Sequence, residues 1–336
     1  MNNELLLGHG AVKDPFDHRD KSYDIVAGMG EPVDWAKGFD IEKELNFTLP
    51  VKDQSQSESC VGQSFSYYAG VLHKDKTGTY DEASAKEVYS QIFLPSGGAN
   101  FRDAASLLVS FGWLFERVVN SHKPDGSVDE TFMRDLSWKT PANIAMAKTL
   151  CEKEYRGITG FSMDVFAQAI RDNHGVVGGI TGTNNGTWFS GEPQPPTGKE
   201  AQSDLWGHAL YFGKFGIDKL GKYIATPNSW GTRTPDALHP DGWQKLRQPW
   251  FDNQGAWIFS PWTLTENLTI NKPINMTIIQ QQGIGTLYVQ VGDTLIPFNT
   301  DFATYQTDFS NCQIIVITPD QFKKFKVASA VVINKK

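Results

Sequence analysis

The chain has 336 residues, 40% apolar and 12% aromatic, enough to bury a sizeable core in one large domain or two ordinary ones. Its formal charge of −7 comes with no run of Lys and Arg, which excludes the basic surface that a nucleic-acid partner needs. No apolar stretch approaches the ~20 residues of a membrane span, and the start, MNNELLLGHGAVKDPFDHRDK, lacks the basic segment and long apolar run of a secretory signal.

Residues 1 to about 45 are rich in Asp, Gly, Pro and Lys with weak periodicity, which predicts an extended lead draped on the domain behind it. Whether that lead is removed stays open. The stretch Val51–Gly70 then turns from polar, Asp53 to Ser59, to apolar residues at helical spacing, Val61, Phe65, Tyr68, Ala69 and Leu72. Cys60 therefore sits at a helix start. The free N–H groups and positive dipole end there lower a thiol's pKa, and Ser57 and Ser59 are natural caps. Gln54, six residues upstream, is placed to aim amide N–H donors at the oxygen of a carbonyl under attack by the sulfur.

Asp81–Phe93 reads as a second helix and Asn100–Ser110 as a third, with Pro95-Ser96-Gly97-Gly98-Ala99 between them. A Gly-Gly pair lets a backbone approach another chain closely. Pro141–Cys151 and Met163–Asn173 are further amphipathic helices, and the run His174–Ile180 is strand-like. Asn184–Asp204, dense in Gly, Pro, Ser and Thr, is a surface loop bordering a site, with Trp188 as a candidate for the cleft edge. Strands follow at Trp206–Phe212, which opens with His208, and at Lys222–Pro227, which leads into Asn228-Ser229-Trp230-Gly231. Neighbouring strands would set His208 beside Asn228. Helices early and strands late make an α+β chain of two segregated lobes. From about residue 263 the character changes to a compact β-rich tail: Leu287–Val291 and Leu295–Phe298 form a hairpin around Gly292-Asp293, Ile314–Ile317 is a strand, Thr318-Pro319-Asp320 caps a short helix, and Val331–Asn334 is the last strand.

Three widely spaced cysteines, Cys60, Cys151 and Cys312, argue against a disulfide framework and for a reducing compartment, the cytoplasm or, for a phage-encoded chain, the virion. Cys151 and Cys312 read as packing or surface thiols. His9, His18, His73, His122, His174 and His239 lack the Cys or carboxylate spacing of a zinc site, so neither a metal nor another cofactor is expected.

A Gln, five residues, a Cys and a helix, followed far downstream by Gly207-His208-Ala209-Leu210 and Asn228-Ser229-Trp230-Gly231, resembles papain-like cysteine peptidases (family C1), and bacterial or phage-type members without the disulfide framework most of all. The resemblance covers residues 46–262 and stops before the tail. Ser57 stands where the family has a disulfide cysteine, Val61 where it has an aromatic, and Glu58 where it usually has glycine. His208 lies 148 positions after Cys60, within the family's range of roughly 130 to 150.

The resemblance implies a helical lobe and a β-rich lobe with the active site between them, followed by a small β-rich C-terminal domain, 263–336. It implies Cys60 as nucleophile paired as thiolate with a His208 imidazolium, Asn228 orienting that ring, Trp230 shielding the pair from water, and Gln54 with the Cys60 N–H as oxyanion hole. The loop at Gly97 and Gly98 would pair with substrate main chain. The expected activity is peptide-bond hydrolysis on a protein or peptide substrate, with the tail as a candidate binding surface for another protein. Acyl transfer to an amine, and a catalytically weak domain serving an assembly such as a phage particle, remain open alternatives.

Overall fold

A computed structural model describes residues 9–24, 31–199, 201, 205–231, 243–252 and 257–265, and, in the tail, 277–281, 287–291, 294–298, 313–324 and 326–327. It divides into two units, one from Met1–Pro15, Ser22–Asp24 and Pro32–Asn267, the other from Phe16–Lys21, Ile25–Glu31 and Leu268–Lys336. Among the described residues no helix is long and apolar enough to cross a membrane.

The first unit is built around the helix Cys60–Thr77, whose first thirteen residues, through Leu72, are all buried. Such burial on every face marks a central helix, and it explains why the chain keeps small polar residues such as Ser64 and Ser66 among Phe65, Tyr68 and Val71. Burying Phe65 completely stabilises the fold by about 1.5–3 kcal/mol. The helix ends where Gly78 turns left-handed at φ +76° and returns its N–H to Lys74 O, with Lys74 and Lys76 facing the negative dipole end. At its start Ser59 occupies the cap position without a side-chain cap bond. The expected capping is not made because the Ser57 and Ser59 hydroxyls bond each other at 2.7 Å.

Packed against it are the helices Ala85–Ile92 and Phe101–Ser110, and Glu130–Arg134 packs on Ala85–Ile92 in turn. The second helix begins later than the apolar pattern suggests, because Ala83 is drawn into a bridge with Phe115 and Ser84 caps Glu87 N. Pro141–Ala147 carries a Thr140 cap and passes into a 3₁₀ turn, Lys148–Leu150.

Two four-stranded antiparallel sheets form the other lobe. One runs Glu154–Gly157, Ile258–Thr265, Val176–Gly182, Trp206–Phe212; the other runs Phe39–Asp40, Lys214–Asp218, Gly221–Pro227, Trp243–Arg247. The helix Met163–Asn173 packs on them through Phe166, 5.9 Å from Phe212. His174, read in the sequence as the start of a strand, is instead that helix's left-handed cap at φ +61°, and the strand begins at Val176. Tyr68 ties the lobes together: its hydroxyl donates to Asn173 O at 2.8 Å and accepts from Leu264 N–H at 3.2 Å.

In the second unit a five-stranded sheet has the order Gln313–Ile317, Thr277–Gln281, Leu287–Val291, Thr294–Phe298, Lys326–Val327. The hairpin is there, Leu287–Val291 antiparallel to Thr294–Phe298. Thr318 closes a capping box with Gln321 at the start of Pro319–Phe322. The Gly292-Asp293 turn, the strand at Val331–Asn334, and Cys312 lie outside the described residues.

Candidate active site

Cys60 is wholly buried at the first turn of the central helix. The loop before it is stitched to the segment that carries Asn228. Gln54 N–H donates to Ser229 O at 2.8 Å, the Ser229 hydroxyl donates to Gln54 Oε1 at 2.5 Å, and Gly231 N–H donates to Lys52 O at 2.9 Å. Gln54 Nε2 donates to Ser57 O at 2.8 Å, and the Ser57 hydroxyl returns to Gln54 O at 2.7 Å. These bonds join the Gln54–Cys60 loop and the Asn228–Gly231 segment, although the two lie far apart in the chain.

His208 opens the strand Trp206–Phe212, and Asn228 follows the strand Gly221–Pro227 directly. Asn228 Oδ1 lies 2.9 Å from His208 Nε2 and also accepts Ser229 N–H at 2.7 Å. The amide is held in that sense because its Nδ2 donates to Gln244 Oε1 at 2.9 Å, while Gln244 Nε2 donates to Trp188 O. A carbonyl oxygen facing Nε2 fixes the tautomer with the proton on Nε2. Nδ1 is then the basic atom, and it is buried with no hydrogen-bond partner among the described residues. Trp230, itself buried, stacks on His208 with ring centres 4.4 Å apart and 23° between planes, so it covers the His–Asn pair rather than an open subsite.

The Cys60 sulfur is faced by the backbone N–H groups of Ala209, Gly10, Val61 and Cys60 itself. Ala209 is the neighbour of His208 on its strand, but His208 Nδ1 makes no bond to the sulfur. The thiolate–imidazolium couple expected from the sequence is absent in this state. Burial pushes the Cys60 thiol up to about 12 and the His208 ring down to about 3, so both groups are neutral.

The N-terminal lead lies against this site. Ala11–Val12 pairs in parallel with Ala99–Asn100, Ala99 N–H donates to Gly10 O at 2.8 Å, and Gly10 N–H donates to Gly207 O at 3.2 Å. Gly10 thus bridges Ala99 and Gly207, the residue before His208 on its strand, with its backbone near the sulfur. Gly98, at φ +70°, has no room for a side chain, since a Cβ would meet Gly10 O at 2.2 Å. Just after these glycines, Ala99 and Asn100 pair with the main chain of the lead. Behind it, Asp14 takes the cap role that Asn100 leaves open: its carboxylate accepts Arg102 N–H at 3.1 Å and Trp262 Nε1–H at 2.7 Å. Ahead of Gly10, His9 stacks on Trp206 at 4.2 Å and meets His208 and Trp230 edge-on.

Acid should loosen this cover. Burial lowers His9 from 6.5 to about 4 and His208 from 6.5 to about 3. A group whose docked pKa is depressed holds its proton better when released, so the covered state is favoured above pH 6.5 and loses ground as pH falls from 6.5 toward 4. Asp14, raised from 3.8 by burial, pulls the other way at the lower end of that window. The protection factor of the Ala99 amide against hydrogen exchange is expected to drop across this window, and to drop less in His9→Phe. A factor that rises on acidification contradicts the assignment.

No family model matches the sequence, and no curated protein matches it significantly. Solved structures do match. Xylellain, a cysteine protease from Xylella fastidiosa, aligns at TM-score 0.59 and 18% identity over 80% of this chain and 99% of its own. The fold is papain-like. A procathepsin B of Trypanosoma congolense aligns at TM-score 0.56 and 13% identity over 78% of this chain and 87% of its own. The proform of the ragweed pollen cysteine protease Amb a 11 aligns at 0.54 and 16%, over 71% and 68%. At such identities the likeness is one of fold, and the two-lobe α+β architecture expected from the sequence is the one found.

Within this papain-like fold, sequence reasoning missed His9, Gly10, Asp14 and Gln244. The first three lie in a lead whose pairing partners are more than 80 positions away, and Gln244 acts only through Asn228. A Gly-His-Gly run at the start of the chain was the available signal for the contact over the sulfur.

Proposed function

We propose that the chain is a cysteine peptidase acting on a protein or peptide substrate through a Cys60 thioester, held latent by its own lead in the state described above. The observation that carries the reading is the His208–Asn228 pair, whose unpartnered Nδ1 sits on the strand that touches the sulfur of a cysteine at a helix start. With the lead displaced, water re-enters and the desolvation that holds both groups neutral is relieved. The proton of Cys60 passes to His208 Nδ1, and the thiolate attacks the scissile carbonyl. His208 then gives the proton to the leaving amine, and water hydrolyses the thioester. Asn228 holds the ring in the required tautomer without adding a charge that would retain the proton.

The Cys60 N–H and a Gln54 Nε2–H serve as oxyanion donors. Removing one such donor costs about 100- to 1000-fold in rate, so Gln54→Ala is expected to lower kcat by that factor with little change in KM. A Gln54→Ala enzyme with unaltered kcat removes Gln54 from the mechanism.

Incubation with a peptide mixture, followed by mass spectrometry of products with and without an added amine, tests the activity. New termini formed by water support hydrolysis. Amine-capped products in their place reassign the chain to acyl transfer, and intact peptides under conditions that expose Cys60 refute the enzyme reading.

A further inference from the structure

We infer, on the basis of the peptidase reading above, that the loop 188–193, acting through Gln244, sets which nitrogen of His208 carries the proton, so that Gln244 is a positioning residue of the reaction. An amide donates from one end and accepts at the other, and its own shape does not fix which end is which. Main-chain carbonyls have no such freedom. Gln244 Nε2 lies 2.9 Å from Trp188 O and 3.1 Å from Ser190 O, so the donor end of Gln244 must face the loop. Its oxygen is left for Asn228 Nδ2, at 2.9 Å, and Asn228 Oδ1 is thereby turned to His208 Nε2.

Reversing Gln244 would break this run at both ends. Its oxygen would meet two carbonyl oxygens, and its NH2 would meet that of Asn228. Both side chains are buried, where leaving a polar group without its partner is costly. Ser229 N–H also reaches Asn228 Oδ1, at 2.7 Å, but it comes from the adjoining residue and leaves the Nδ2 end to Gln244.

The loop is itself fastened. Lys245 N–H donates to Gly191 O at 2.7 Å, Arg247 Nε donates to Glu192 Oε2 at 3.0 Å, and Trp250 Nε1 donates to Pro193 O at 2.8 Å. With the two bonds from Gln244, residues 188 and 190–193 are all tied to the strand Trp243–Arg247 or to Trp250 just beyond it. The charged groups alongside are paired with one another, Arg247 with Glu192 and Asp218, and Lys245 with Asp218. The titratable group at the end of the relay is His208.

The consequence for the reaction lies in the imidazolium. Once Nδ1 takes the proton of Cys60, Nε2–H donates to Asn228 Oδ1 as a charged group. An Asn228 no longer held by Gln244 gives that bond up, and the loss of a hydrogen bond to a charged group lowers kcat by about 10- to 100-fold. Because Gln244 meets substrate only through Asn228 and His208, KM should stay within about twofold.

The test uses the full chain with its histidines labelled by ¹⁵N, at pH 7, where burial keeps His208 neutral. Ring nitrogen NMR then reads which nitrogen bears the proton, and it reads it from folded molecules alone. The native ring is expected to carry the proton on Nε2. In Gln244→Met, which keeps the bulk and loses the amide, the Nδ1–H form appears and kcat falls with KM held. Gln244→Glu is the second variant. A buried protonated carboxyl both donates to the loop and accepts from Asn228, so this chain should keep the Nε2 proton and its rate at about pH 6 and lose both toward about pH 9, as the carboxylate comes to face two carbonyls. A ring unchanged in Gln244→Met, or a kcat unchanged although the ring has changed, overturns the inference and leaves the peptidase reading standing. So does a Gln244→Glu chain that matches the native ring and rate at both pH values. Absence of hydrolysis by the native chain with Cys60 exposed overturns both.

Discussion

Replacing Cys60 with alanine is expected to abolish peptide hydrolysis, with a fall in kcat on the order of a million-fold, to the level of background. The size follows from what the sulfur alone supplies. Without a nucleophile no thioester forms, and the remaining donors at Gln54 and the helix start can only polarise a bound carbonyl. Cys151→Ala is the control: this thiol is free and partly exposed, lies beside Gly112, and its loss should leave turnover within about twofold. A fluorogenic peptide assay on both variants, each checked for folding by circular dichroism, decides the matter. Comparable activity in Cys60→Ala and the parent rules out covalent catalysis at Cys60.

Removing the lead through Val12 is expected to act in the opposite direction. The contacts it makes over the sulfur are main-chain bonds to Gly207 and Ala99 and the His9 stack on Trp206, the kind of grip that gives modest affinity to a free peptide. Tethering changes that. At an effective concentration of ~1 mM, a segment with an intrinsic Kd of ~10 μM covers its site about 100-fold over. Trimming should therefore raise hydrolysis of a saturating peptide by about 10- to 100-fold, while Asp14 and its bonds to Arg102 and Trp262 stay to protect the fold. Progress curves of the parent and trimmed chains compare the two directly. Equal initial rates mean the lead does not restrain the site.

What the sequence disclosed and what it hid have separate physical causes. The helix at Cys60 was legible because its apolar residues recur over about three turns, from Val61 to Leu72, and the strand Trp206–Phe212 because seven residues carry one pattern. The pairing of His208 with Asn228 was legible because each sits at the end of a strong local element. That the lead lies extended on the domain was legible too, but its pairing was not, since a two-residue strand has no period and its register is set by Ala99 and Gly207. His174 was misplaced because a left-handed cap followed by a strand reads as one apolar run when only side chains are considered. A helix start and a histidine favour a thiolate only while water or charge reaches the sulfur, and in the state described Cys60 is wholly buried.

The account turns on the state of Cys60 once the lead is gone, and the pH dependence of its alkylation measures that state. Iodoacetamide labelling of Cys60, followed by mass spectrometry from pH 4 to 9, should be slow at every pH in the full chain above 6.5 and fast in the trimmed chain down to about pH 5, well below the ~8.5 of an ordinary thiol. A trimmed chain whose labelling rate climbs only near pH 8.5, like that of any free thiol, contradicts a His208-paired nucleophile.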